Sequence, residues 1–236
     1  MISIIIYMQN KTLVISLGGS LIVPNEINIE FLSHFKLIIA DFVRKGNRAI
    51  IICGGGNVAR LYNTAAKKMY PGIRAKDLDS MGIEVTHVNA LLVRNIFGNL
   101  AETKILHNPT KKIDTKKRII IGCGWKPGCS TDKDAVMAAK TYGMDTMVNL
   151  SNITHIFDKN PKEFQDAKPY VKMTWKELRI IVGDVWMPGA HVPFDPEAVK
   201  LGQKWGLKLV VLNGKNLKNF YHFLNGEKYI GTTVEK

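Results

Sequence analysis

The chain has 236 residues, 46% of them hydrophobic and 22% charged, with a formal net charge of +13. This is ordinary globular composition, long enough for one generous α/β domain whose core needs no staples, and it excludes a disordered chain and a membrane-embedded one. Cys53, Cys123 and Cys129 form no CxxC pair and no His-rich spacing, so neither a disulfide framework nor a metal site is indicated, and a reducing cytoplasmic location is expected.

The chain opens on MISIIIYMQN. Its apolar run, Ile2 to Tyr7, is too short for a membrane span and lacks a basic flank or a small-residue cleavage site; it reads as the lead-in to a strand. Strand-length apolar runs follow at TLVISLGG, RAIIICGGG, RIIIGCG, DTMVNLSN and LKLVVLNG, each closed by Gly, Asn or Ser. Between them, INIEFLSHFKLIIADFVRKG, NVARLYNTAAKKM, SMGIEVTHVNALLVRNIFGN and TDKDAVMAAKTYG place apolar residues at helical spacing. Strands alternating with helices predict a three-layer α/β/α sandwich around a mostly parallel central sheet. The closing GEKYIGTTVE reads as an antiparallel edge. The basic stretch TKKIDTKKR, residues 110–118, reads as a solvated loop, so no nucleic-acid partner is expected.

Glycines gather at the carboxyl ends of three predicted strands, at Gly18-Gly19-Ser20, Gly54-Gly55-Gly56 and Gly122 to Gly128. Ligands of open α/β sheets sit at such ends, and glycine turns that lead into helices point backbone N–H groups at anions. Neither GxGxxG with its ribose acid nor GxxxxGK[ST] is present, which argues against a dinucleotide fold and a Walker A loop. Facing glycine loops suit two phosphorylated ligands between which a phosphoryl group passes.

In order along the chain, VISLGGSLIVP, IICGGGNVAR, DSMGIEVTHVNALL, KPGCSTDKDA, NLSNITHIFDKNP, FDPEAVKL and the closing GTTVE resemble the motifs of the uridylate (UMP) kinases, in the archaeal-like branch of the amino-acid kinase superfamily. The resemblance spans essentially all of residues 1–236, read as one domain with an N-terminal phosphate and UMP side and an ATP side from about residue 145. It implies Mg²⁺-dependent transfer of the γ-phosphoryl of ATP to UMP, an eight-stranded type of sandwich, and a homohexamer. By the same resemblance Ser16, Leu17, Gly18, Gly19 and Ser20 line the ATP phosphates, Gly56 and Arg60 hold them from the second loop, and Gly55 approaches UMP. Asp79 holds the UMP ribose. Gly124, Trp125, Lys126, Pro127, Gly128, Cys129, Ser130 and Thr131 surround uracil and the UMP phosphate. Asp132 orders cations and donors around the transferring group, and Ser151, Phe157 and Asn160 contact adenosine.

Each residue also has a plainer role open to it: Arg60 as a surface residue, Asp79 as a helix N-cap, Ser130 and Thr131 as caps, Phe157 as core. Asp77 matches no motif. Many relatives carry a lysine where this chain has Ser16, which leaves Lys126 and Arg60 as the loop cations that could balance phosphate charge. Thr154-His155 replaces the usual Asp-Gly, and Asn160-Pro161 the usual Asp-Pro, which bears on donor preference. A phosphate monoester needs no base at neutral pH, so His191 reads as structural or interfacial. No base stands near Cys53 or Cys129 in sequence to make a thiolate nucleophile. The competing readings are another superfamily kinase, for instance one acting on isopentenyl phosphate, and a non-catalytic oxyanion store.

Overall fold

A computed structural model describes residues 11–161, 163–185 and 192–236. The Ile2 to Tyr7 run and His191 lie outside the described residues.

In chain order the elements are β1 (Thr12–Leu17), α1 (Gly19–Ile22), α2 (Ile29–Arg44), β2 (Arg48–Cys53), α3 (Gly56–Met69), α4 (Ala75–Phe97), β3 (Ile119–Gly122), α5 (Thr131–Tyr142) and β4 (Thr146–Ser151). Then come β5 (Ile156–Phe157), β6 (Pro169–Tyr170), β7 (Lys172–Thr174), α6 (Trp175–Val182), α7 (Pro196–Trp205), β8 (Lys208–Asn213), α8 (Leu217–Leu224) and β9 (Thr232–Glu235). Among the described residues one seven-stranded sheet has the order β3-β2-β1-β4-β8-β9-β7, and β5 and β6 form a separate two-stranded ladder. The first five strands of that order pair in parallel, as continuous Val- and Ile-rich runs covered on both faces should.

Period-two alternation sorts the strand side chains between two cores. Leu13, Ile15 and Leu17 of β1 face Phe35 and Ile39 of α2, Val93 and Phe97 of α4, and Phe220 of α8. Val14 faces the opposite layer of α5, α6 and α7, with Val136, Leu178 and Val199. Phe35 is fully buried at the centre of the first core, its ring 5.6 Å from Phe31, 6.4 Å from Phe97 and 6.1 Å from Phe220.

The expected helices form, with two shifts worth a reason. Helix α4 begins at Ala75 rather than near Ser80, because Arg74 and Asp77 close its polar first turn with a forked ion pair of 2.8 and 2.9 Å that apolar periodicity cannot register. The closing segment is not the sheet edge. Strand β9 runs antiparallel to β8, but β7 pairs in parallel on its other side and becomes the edge. Helix α6, which carries no glycine loop, is announced locally by a Thr174–Glu177 capping box. The 110–118 stretch is a largely exposed loop, as expected.

Candidate active site

The two N-terminal glycine loops lie back to back. The Gly54 N–H donates to the Leu17 carbonyl at 2.9 Å, and the Gly18 N–H donates to the Leu150 carbonyl at 2.9 Å, so the carboxyl ends of β2, β1 and β4 are tied together. A Cβ on Gly19 would lie 2.4 Å from the Gly54 oxygen, and one on Gly56 would lie 2.3 Å from the Gly19 carbonyl carbon. Gly56 also has φ +63°, the left-handed region that favours glycine. What crowds these glycines is each other's backbone. Gly55 is pressed against its own helix, where a Cβ would come 2.7 Å from that of Ala59. Across the junction the Arg60 guanidinium donates to the Ser20 hydroxyl at 3.3 Å and to Asn57 Oδ1, so this exposed side chain reaches back toward the first loop.

One face of α4 fastens the loops from the side. Asn89 Nδ2 donates to the Gly54 carbonyl at 2.8 Å, Thr86 Oγ1 accepts from the Gly124 N–H at 2.8 Å, and Asp79 Oδ2 accepts from the Gly128 N–H at 3.0 Å. Asp79 is therefore not the helix cap that its sequence position also allowed; that position belongs to Arg74. The loop itself turns at Pro127, with the Cys129 N–H donating to the Lys126 carbonyl at 3.1 Å and Gly128 at φ +82°. Ser130 then caps α5 by accepting from the Lys133 N–H at 3.1 Å, and Thr131 is the first helical residue.

Asp132 stands in the first turn of α5 and reaches the sheet. The Ser16 hydroxyl and the Asn149 amide each donate to its Oδ1 at 2.9 Å. Ser16 and Asn149 are register partners on adjacent strands, so the carboxylate bridges β1 and β4 at their carboxyl ends. Burial pushes the Asp132 carboxyl up to about 6, against the lowering effect of the Ser16 bond. Asp134, fully buried two residues along the helix, accepts from the Trp125 N–H at 3.0 Å and is pushed by burial to about 7.

Of the other expected residues, Ser151 borders the first loop, its Cα 3.7 Å from a would-be Cβ on Gly18, while the rest make their contacts elsewhere. Trp125, Lys126 and Cys129 line a groove of about 480 Å³ on the outer side of α5, shared with Lys133, Met137 and Trp205, and the Lys126 ammonium sits 3.9 Å over the Trp125 ring. Phe157 on β5 meets His155 edge-on at 6.3 Å, and Asn160 Nδ2 donates to Glu163 at 2.6 Å. Ser151, at the end of β4, has a buried hydroxyl with no partner among the described residues. All three cysteines are free, and burial pushes each thiol up, that of Cys123 to about 12, so none is disposed to be a thiolate nucleophile.

Sequence reasoning passed over Thr86, Asn89, Asp134 and Asn149. The available signal was a polar residue on an otherwise apolar face: Asn149 interrupts the buried run Met147, Val148, Leu150.

A mostly parallel sheet with joined glycine loops at its carboxyl edge, and carboxylates held there by strand and loop donors, has the character of a phosphotransferase-like α/β/α protein. Residues 11–213 match the amino acid kinase family, and the chain belongs to that family. Its relatives include the uridylate kinase of Methanoregula boonei, 32% identical over 96% of this chain and 97% of that protein, and the uridylate kinase of Sulfolobus acidocaldarius, 30% identical over 89% and 93%. The crystal structure of uridylate kinase from Archaeoglobus fulgidus superposes with a TM-score of 0.80 at 27% identity, covering 94% of this chain and 99% of that one.

Proposed function

We propose that this protein is a uridylate kinase, transferring the γ-phosphoryl of ATP to UMP to give UDP and ADP in pyrimidine nucleotide biosynthesis. A UMP phosphate oxygen forms the new bond to the γ-phosphorus while the bond to the β,γ-bridging oxygen breaks, and ADP leaves with that electron pair. The full-length likeness to proteins named uridylate kinase carries the reading.

The geometry supports a division of labour. Amides of the joined loops at Gly18 to Ser20 and at Gly56, with the Arg60 guanidinium folded back over Ser20, serve the ATP phosphates. Gly55, Asp79 and the 124–131 loop serve UMP. Asp132 orders the donors around the transferring group, and Ser151, Phe157 and Asn160 serve adenosine on the C-terminal side. Lys126 stacks on Trp125, so Arg60 is the better-placed counter-charge.

Mg²⁺ is part of the proposal. Among the described residues no three His, Cys, Asp or Glu side chains come together as a metal cage. Asp132, at the junction of β1, β4 and α5, is the carboxylate that would face such an ion, which when bound would neutralise charge on the nucleotide phosphates. Among the described residues no helix is long and apolar enough to cross a membrane, in keeping with a cytoplasmic enzyme. Homo-oligomer formation, a hexamer by resemblance, is supported by α3, which buries no residue and exposes Leu61, Tyr62 and Met69.

The test is ADP release with UMP, CMP, dUMP and isopentenyl phosphate, with and without Mg²⁺. UMP should be the preferred acceptor and the rate should require the metal. Equal rates with CMP, preference for isopentenyl phosphate, or no rate with any acceptor would each count against the reading.

A further inference from the structure

We infer that Asn149 is a positioning residue for phosphoryl transfer, holding Asp132 through its amide in the orientation that the reaction uses; the inference rests on the kinase reading above. Asn149 and Ser16 face one another in the β1–β4 register, both are buried, and both donate 2.9 Å bonds to the same Asp132 oxygen. A carboxylate is acceptor-only, so the amide must present its NH₂ there. That leaves Asn149 Oδ1 buried with no partner among the described residues. A buried, unpaired carbonyl costs free energy, and a Val at this place in a buried strand would avoid that cost. Packing therefore does not account for the amide, whereas its bond to Asp132 does.

Two donors on one oxygen fix the carboxylate plane and leave Oδ2 as the oxygen the two strands do not hold. They also oppose a real liability. Asp134 and Asp195 bring negative charge toward the same helix start, from α5 and the cap of α7; the Asp195 charge acts with burial to favour the protonated form of Asp132, while the Asp195 backbone N–H favours the ionised form. Ser16 and Asn149 are the side-chain donors, from β1 and β4, that join the Asp195 backbone N–H in favouring the ionised form.

The experiment is a double-mutant cycle of Asn149→Val with Asp132→Ala, read as kcat and as KM for ATP and UMP. In the wild-type background Asn149→Val should lower kcat about tenfold with both KM values within about twofold; in the Asp132→Ala background it should cost less than about twofold. Equal costs in the two backgrounds, or no cost in the wild type, would overturn the inference. A carbon-13 carboxyl titration of Asp132 supplies a readout independent of turnover: its pKa should rise in Asn149→Val, and an unchanged value would also overturn it. A wild type inactive toward every acceptor sinks the kinase reading and the catalytic half of the inference, while the titration still decides whether Asn149 governs Asp132.

Discussion

The backbone N–H of Gly128 donates to Asp79 Oδ2 at 3.0 Å, joining the tip of the 124–131 loop to the second turn of α4. The bond to the loop uses Oδ2 of the carboxylate. The ribose role proposed for Asp79 would put loop closure and substrate recognition on a single side chain.

Asp79→Ala should therefore weaken UMP by about 10- to 100-fold, as loss of charge-assisted hydrogen bonds does, while leaving ATP affinity within about twofold. Asp79→Asn, whose amide oxygen still accepts from Gly128, should lose less. Calorimetric titration of both variants with UMP and with a non-hydrolysable ATP analogue checks this. Equal losses for the two nucleotides would assign Asp79 to the fold instead.

Arg60 spans the junction of the two glycine loops through Ser20. Arg60→Ala should lower kcat/KM for ATP by on the order of 10²-fold, the range for removing one preorganised donor at a site of developing charge. Lys126→Ala should have a smaller effect, because that ammonium is stacked on Trp125 at the outer groove. Steady-state rates at saturating Mg²⁺ decide the order; a larger loss for Lys126→Ala would reverse the assignment.

The loop junction also makes a stability prediction. A methyl group at Gly19 would meet the Gly54 and Gly55 backbone at 2.4 and 2.5 Å, atoms that cannot swing aside as a side-chain tip would. Gly19→Ala should cost about 3 kcal/mol or more, at the upper end of overpacking. Gly82 lies inside α4 with nothing within 4 Å of its would-be Cβ, and Gly82→Ala should stabilise by up to about 1 kcal/mol. Urea unfolding of the pair measures both signs.

Asp134 gives the pH dependence. Its folded pKa is raised to about 7, chiefly by burial, so the native chain keeps a proton that the unfolded chain releases. The associated stability is full below the unfolded carboxyl value, about 4, and is lost as pH rises through about 7. His107 and His155 are pulled down by burial and act in the opposite direction, so the difference from Asp134→Asn is the useful quantity. Relative to wild type, Asp134→Asn should gain melting temperature as pH is raised from about 5 to about 8. A difference constant with pH would show that the Asp134 proton is not linked to folding.

Local patterns in the chain were enough for the layered α/β architecture. Buried parallel strands must be near-continuous Val and Ile, helices must repeat their apolar face, and Gly143 and Gly206, both left-handed, close α5 and α7 where the chain must turn. The glycine loops were legible as well, since only glycine tolerates such crowding. Their cause was not. Whether Gly19 is bare for a ligand or for Gly54 depends on two loops 35 residues apart meeting at the ends of neighbouring strands, and that meeting is a property of the sheet order.

The same limit applies to the site. The resemblance of the motifs singled out Ser16, Arg60, Asp79 and Asp132. It could not pair Ser16 with Asp132, 116 positions away, or show that Asn149 completes the clamp. Nor could it show that Asp79, read as a ribose contact or a helix cap, anchors the Gly128 loop. Hydrogen bonds at 3 Å between residues remote in sequence exist only once β1 has β2 and β4 as its neighbours and α5 lies across the sheet's carboxyl edge. Periodicity follows from the local geometry of a helix or strand and is written in each segment, whereas the partner of a polar side chain is set by packing of the whole chain, which no single segment contains.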